Sequence, residues 1–204
     1  MSDLDHFDLL PIHMDPKSKA ISASKQSRAL AAELQQLNAL HRALLTLDGS
    51  SMGVPPPPIP VNPKRTGQVT KLRDNGNAEY RRGKYAEALR LYSLGIQMAS
   101  QRPLWEPAQL VREEVSGLLA NRAQTHMALH NWPEGAVDAE ASVEARRIGN
   151  AKGWWRKGQC LLEMGRLDEA REWVKQGLEV EGEEAELVGL LKEIDGLIAK
   201  KRAQ

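Results

Sequence analysis

Aromatic side chains make up only 4% of this 204-residue chain, against 41% apolar residues overall. That balance suits helices packed through small residues better than a β-sandwich filled with rings. A single cysteine, Cys160, excludes an intrachain disulfide and a multi-cysteine zinc site; it reads as a small buried hydrophobe. No apolar run approaches the ~18 residues of a membrane span. The start, Met1-Ser2-Asp3-Leu4-Asp5, is acidic and lacks the basic and apolar regions of a signal peptide. The expectation is a cytosolic chain, or one that reaches a membrane through another protein, with no direct membrane insertion. Neither sign of charge dominates: 28 Lys and Arg against 27 Asp and Glu leave a net charge of +1, so no global field draws in nucleic acid. His6 and His13 lie in an irregular segment without suitable partners, and no metal or cofactor is expected. Nothing in the repeats described next pairs a nucleophile with a base, so no catalysis is expected either.

What is present is a repeat. Gly76, Ala88 and Gly95 are separated by 12 and then 7 residues; Ala123, Gly135 and Ser142 keep that spacing, as do Gly158, Ala170 and Gly177. A turn falls at one offset in each copy, at Gly83-Lys84-Tyr85, His130-Asn131-Trp132 and Gly165-Arg166-Leu167, and its third residue is bulky and apolar. Small residues at such sites let antiparallel helices approach to the lower end of the usual ~8–10 Å. The pattern predicts an all-α superhelix of three helical hairpins, each burying its apolar face against its neighbours. Gly76 and Ala123 are 47 residues apart, whereas Ala123 and Gly158 are 35 apart. With a period of ~34, the excess falls between Ser100 and Arg112, read as a loop followed by a lengthened first helix of the second copy.

The expected domain organisation is a partner-docking segment over 1–53, a proline-rich linker over 54–66 and a repeat domain over 67–204. The repeats fall at about 69–102, 116–149 and 151–184, and a capping helix follows at 184–202. In the first segment, Ser22 or Ser24 is read as the cap of a helix continuing to about Leu47, striped by Leu30, Leu34, Leu37, Leu40, Leu44 and Leu47. That stripe either folds back on the repeats or is covered by a second protein. Val54 to Pro63 reads as extended polyproline, foremost a semi-rigid spacer. The last helix places Leu187, Leu190, Leu191, Ile194, Leu197 and Ile198 on one side, as a terminal cap requires.

The first helices of the hairpins carry the chemistry. Arg73 and Asn77 are i and i+4, as are Lys152 and Arg156, so each pair shares a helix face. Asn121 precedes Ala123 by two residues, as Arg156 precedes Gly158. Arginine offers a planar fork, lysine a compact charge and asparagine an uncharged amide donor, a set matched to a chain terminus with several carboxylates.

Lys71-Leu72-Arg73-Asp74-Asn75-Gly76-Asn77, Asn121-Arg122-Ala123 and Lys152-Gly153-Trp154-Trp155-Arg156-Lys157-Gly158 resemble the dicarboxylate-clamp tetratricopeptide (TPR) domains. The resemblance implies that Arg73, Asn77, Asn121, Lys152 and Arg156 bind the Glu-Glu-Val-Asp tail of a cytosolic heat-shock chaperone, the seventy-kilodalton class favoured. Arg73 stands where many members have lysine. It further implies that Tyr80, Gln124 and Met127, bulkier than the family's usual leucine and alanines, shape the pocket for the tail's valine. Taken whole, the chain is similar to the small TPR subunits of fungal post-translational translocation complexes at the endoplasmic reticulum. That likeness implies a peripheral place on the cytosolic face of that membrane, with residues 1–66 docked on a membrane-anchored translocon subunit. The alternative is a soluble TPR co-chaperone scaffold attached to no membrane complex.

Overall fold

A computed structural model describes residues 11–24, 27–45, 61–103 and 105–202. The chain divides into two compact units, Met1–Pro57 and Pro58–Gln204.

In the first unit, strands β1 (Ile12–Met14) and β2 (Ile21–Ala23) pair antiparallel, His13 opposite Ser22, ahead of helix α1 (Arg28–Leu45). This corrects the expected helix start. Ser22 lies in β2, and the cap is Ser27, whose Oγ accepts from the Leu30 amide at 3.1 Å. The Asp15 carboxylate accepts from the amides of Lys17 and Ser18 and closes the hairpin, with Lys19 in the left-handed region. Three-residue strands are too short to carry a readable alternation, which is why the sequence did not announce them. Asn38 of α1 receives the Ile21 amide at 2.6 Å and donates to the Ile21 carbonyl at 2.8 Å, so a side-chain amide stands in for a neighbouring strand. Leu34 is buried and Leu37 exposed. Phe7, Leu9, Leu10, His6, the expected helix end at Leu47 and the prolines from 55 to 60 lie outside the described residues.

The second unit is the helical array: α2 (Pro63–Arg81), α3 (Tyr85–Ser100), α4 (Ala108–Ala128), α5 (Trp132–Ala145), α6 (Ala151–Glu163), α7 (Leu167–Glu181) and α8 (Ala185–Arg202). Helix α2 begins inside the segment read as linker, with Asn62 accepting from the Lys64 amide at 3.0 Å and Pro63 at its first position. All nine small positions of the 12-and-7 frame are buried. A Cβ on Gly76 would stand 2.5 Å from Cε1 of Tyr92, and one on Gly158 would stand 2.6 Å from Cγ2 of Val174. The three turns share one geometry. The amides of Lys84, Asn131 and Arg166 reach back to Glu79, His126 and Leu161, and those of Gly83, His130 and Gly165 to Tyr80, Met127 and Leu162. This is the helix-ending motif that needs a left-handed residue; Gly83 and Gly165 supply it, while His130 adopts φ 58° with a side chain. Tyr85, Trp132 and Leu167 then open the second helices.

Successive helices pack in chain order, and first helices also meet across repeats, α2 with α4, α4 with α6 and α6 with α8. No two second helices meet among the described residues. First helices are therefore on the inside of the curve. Trp154 and Trp173 lie with ring centres 4.4 Å apart in the core of the third repeat. The core is sealed by Leu187, Leu190, Ile194 and Ile198 of α8, with Leu197 left exposed, against the expectation. Cys160 is fully buried and its thiol is pushed up to about 12 by burial, the inert hydrophobe expected of it.

The stretch from Ser100 to Arg112 is a loop followed by a lengthened α4, as the spacing predicts. Its anchor is Arg102. The Arg102 side chain is wholly buried and bonds Glu114 at 2.6 and 2.9 Å, Glu106 at 2.5 Å and the Thr66 hydroxyl at 2.7 Å. Burial alone lowers an arginine pKa; the Glu114 and Glu106 carboxylates outweigh it and hold this one above its ordinary value. Removing one partner of such a cluster strands buried charge, so Arg102→Ala is expected to lower the unfolding free energy by about 3 kcal/mol in a urea titration. An unchanged midpoint would show that the node carries no stability.

Candidate functional site

On the inner surface, Asn77 of α2 and Asn121 of α4 come together although 44 residues apart: Asn121 Nδ2 donates to Asn77 Oδ1 at 2.9 Å. The same oxygen accepts from the hydroxyl of Tyr92 on α3 at 2.8 Å. Arg73, one turn earlier on α2, is half-exposed, with Nε 3.3 Å from the Asp74 carboxylate. From the third repeat, Lys152 is exposed and enters no ion pair among the described residues.

Arg156 is the unusual member. It is 8% exposed, and its one side-chain acceptor among the described residues is the amide oxygen of Gln124, 2.5 Å from Nη2. Burial pushes the guanidinium below its ordinary pKa, against the opposing influence of Tyr80, Glu186 and Tyr92. It remains charged near neutrality. The result is a buried cation that bonds no carboxylate among the described residues, Glu186 acting on it only from a distance.

Asn121, Lys152 and Arg156 line one open cavity of about 480 Å³, whose other walls include Ser116, Asn150, Arg146, Glu181 and Glu184. Arg73 and Asn77 lie outside it, on the α2 side of Asn121. Of the residues expected around the valine pocket, Gln124 is engaged by Arg156. Tyr80 packs on Tyr85 with ring centres 5.4 Å apart, and Met127 lies under Gly135, its Cγ 3.5 Å from where a Cβ there would sit.

The cavity floor was not anticipated. Ser116 and Ser142 exchange hydrogen bonds, each hydroxyl donating to the other's carbonyl at 2.9 Å, and Asn150 Nδ2 donates to the Ser142 carbonyl at 3.0 Å. Glu181 accepts from the amides of Gly149 and Asn150 at 3.0 and 2.8 Å, so the N-terminus of α6 already holds an internal anion. Serine at 142 in a frame otherwise made of glycine and alanine was the available signal. Glu181 offered none, since only folding brings it beside residue 149.

No family model matches the sequence. The chain is 40% identical over 127 residues to the ER protein translocation subcomplex subunit sec67 of Schizosaccharomyces pombe, an alignment covering 61% of this chain and 66% of that one, just under two thirds of its length. It is 27% identical over 188 residues to translocation protein SEC72 of Saccharomyces cerevisiae, covering 91% and 94%. Among solved structures, a chain of the S. cerevisiae Sec complex superposes with a TM-score of 0.66 at 24% identity, covering 94% of this chain and 99% of that one. The first TPR domain of Spaghetti (RPAP3), solved with the HSP90 peptide SRMEEVD, superposes with a TM-score of 0.55 at 23% identity over 69% of this chain and 98% of that domain. The fold is that of the tetratricopeptide-repeat superhelices. Its close homologues are the fungal Sec67/Sec72 translocation subunits.

A buried arginine that enters no ion pair among the described residues costs the folded state desolvation that its single amide contact offsets only in part. Arg156→Met is therefore expected to raise the unfolding free energy by about 1 kcal/mol, whereas Lys152→Met, at an exposed site, leaves the urea midpoint in place. A clear loss of stability in Arg156→Met would mean that the guanidinium is already compensated.

Proposed function

We propose that this protein is an adaptor without catalysis of its own, and that its inner surface clamps the carboxyl-terminal tail of a cytosolic heat-shock chaperone. The observation that carries the reading is Arg156, a buried cation beside an open cavity shared with Lys152 and Asn121 and satisfied by one amide oxygen. No carboxylate bonds Arg156 among the described residues, and a terminal aspartate supplies two carboxylates close together. In this reading Arg156 and Lys152 take those carboxylates, Asn121 and Asn77 give amide hydrogens, and Arg73 at the rim reaches the acidic residues before them. Tyr80, Gln124 and Met127 border the preceding valine. Each charge-assisted bond contributes about 1.5–3 kcal/mol; less the cost of ordering a flexible tail, two or three of them together with the apolar contact give micromolar affinity, about −8 kcal/mol. The Spaghetti domain solved with SRMEEVD shares this fold and supports the ligand class. The seventy-kilodalton chaperone class is favoured as its source.

The second half of the reading puts the adaptor at the cytosolic face of the endoplasmic reticulum, held there by docking of residues 1–66 on a membrane-anchored translocon subunit. No helix among the described residues is long and apolar enough to cross a membrane. The similarity to translocation protein SEC72 runs over 91% of the chain and so includes the region before the repeats. The Spaghetti domain matches 69% of the chain. That difference favours the translocon adaptor over a soluble scaffold. The adaptor would bring chaperone-bound precursors to the channel for post-translational translocation.

Titration of the full chain with a Glu-Glu-Val-Asp tail is expected to give a micromolar Kd that weakens with salt. Arg156→Ala and Asn121→Ala should each weaken it, the arginine variant by at least about tenfold, and amidation of the tail's α-carboxylate should do the same. Unchanged affinity in both variants, or equal binding of the amidated tail, would sink the clamp. For the membrane half, the full chain should co-sediment with microsomes and a chain lacking residues 1–57 should not.

A further inference from the structure

The two asparagines of the clamp raise a question their positions leave unanswered. An asparagine amide serves a carboxylate only if its nitrogen, not its oxygen, faces the ligand, and rotation about the last side-chain bond exchanges the two. Some other group must set that choice. The side chain that does so here is Tyr92 of α3, on the second helix of the first hairpin and 1% exposed.

Its ring lies against the backbone of α2 where Gly76 has no Cβ; a Cβ there would stand 2.5 and 2.8 Å from ring carbons Cε1 and Cδ1. The hydroxyl thereby reaches past Gly76 to Asn77 Oδ1, at 2.8 Å. A buried phenol must place its proton on an acceptor, and Asn77 Oδ1 is the one it meets among the described residues. Burial pushes this phenol up to about 12, so it remains a donor at any pH a cell reaches. Asn121 Nδ2 donates to the same oxygen at 2.9 Å, filling its second lone pair. Were Asn77 reversed, the phenol would lose its acceptor and the Asn121 amide nitrogen would face a second donor. The chain therefore admits one orientation. In it, the Asn77 Nδ2 hydrogens meet no protein acceptor among the described residues, and one Nδ2 hydrogen of Asn121 is likewise left over.

We propose that Tyr92 is a positioning residue for tail binding, its hydroxyl locking the Asn77 amide, and through it that of Asn121, with nitrogen toward the carboxylates. The proposal rests on the clamp reading above and adds to it a residue outside the groove.

The test is Tyr92→Phe in the full chain, which keeps the ring on Gly76 and removes only the hydroxyl. The Kd for the Glu-Glu-Val-Asp tail should rise roughly tenfold, the scale of one lost hydrogen bond in a desolvated site. Far-ultraviolet circular dichroism should match wild type. In an Asn77→Ala background the same substitution should leave the Kd where Asn77→Ala alone puts it, since the phenol then has no amide to hold. A packing defect would instead lower affinity in both backgrounds. In the free protein, the Asn77 side-chain amide resonances should shift or broaden in Tyr92→Phe. Wild-type affinity in Tyr92→Phe, or losses that add in the double variant, would overturn the role. If Arg156→Ala weakens binding and Tyr92→Phe does not, the clamp stands and this inference falls. If neither weakens it, both fall.

Discussion

Helix separation in the array is set by positions where a side chain is missing. Gly76, Gly95, Gly153 and Gly158 each present bare backbone to a side chain that would lie within 3.0 Å of an added Cβ: Tyr92, Leu118, Val143 and Val174 respectively. Close packing of this kind cannot be relaxed locally, because each first helix touches its own second helix and the first helices on either side. The curvature of the array follows, since first helices meet across repeats and second helices do not. So does the gathering of the first-helix donors on the inner wall.

Polar groups inside the array divide into those that are satisfied and those that are not. Arg102 with its two glutamates, and Ser116 with Ser142 and Asn150, bond chiefly one another. They fasten the loop after α3 and the α5–α6 junction. Arg156 is the reverse case, a guanidinium held by one amide oxygen beside an open cavity. Gly76 joins the two themes: the missing Cβ that lets α3 approach α2 also lets the Tyr92 hydroxyl reach Asn77.

The two units are built differently. Helices α2 to α8 form one stack with a terminal cover in α8. The unit before them holds a short hairpin and a helix whose Ile12, Met14 and Leu37 remain exposed, apolar surface of the kind a partner covers.

Much of the array was legible in the sequence because its cause is periodic. A 12-and-7 frame of small residues needs two close helix contacts per hairpin, and a bulky residue after each left-handed turn must open a second helix. The i,i+4 pairs Arg73–Asn77 and Lys152–Arg156 share a helix face by geometry alone. The hairpin of β1 and β2 was hidden because three residues carry no period, and the Ser27 cap because Ser22 and Ser24 stand close by. What the chain order could not state was which distant groups would meet: Tyr92 with Asn77, Gln124 with Arg156, Glu181 with the amides at 149 and 150. By itself the sequence determined the helices, their spacing and the identity of the donors, since these follow from local sterics and repeat length. Only the tertiary structure decided which donors are already occupied, which way an amide faces and which cation is left without an anion, because those depend on contacts between residues 15 to 44 positions apart.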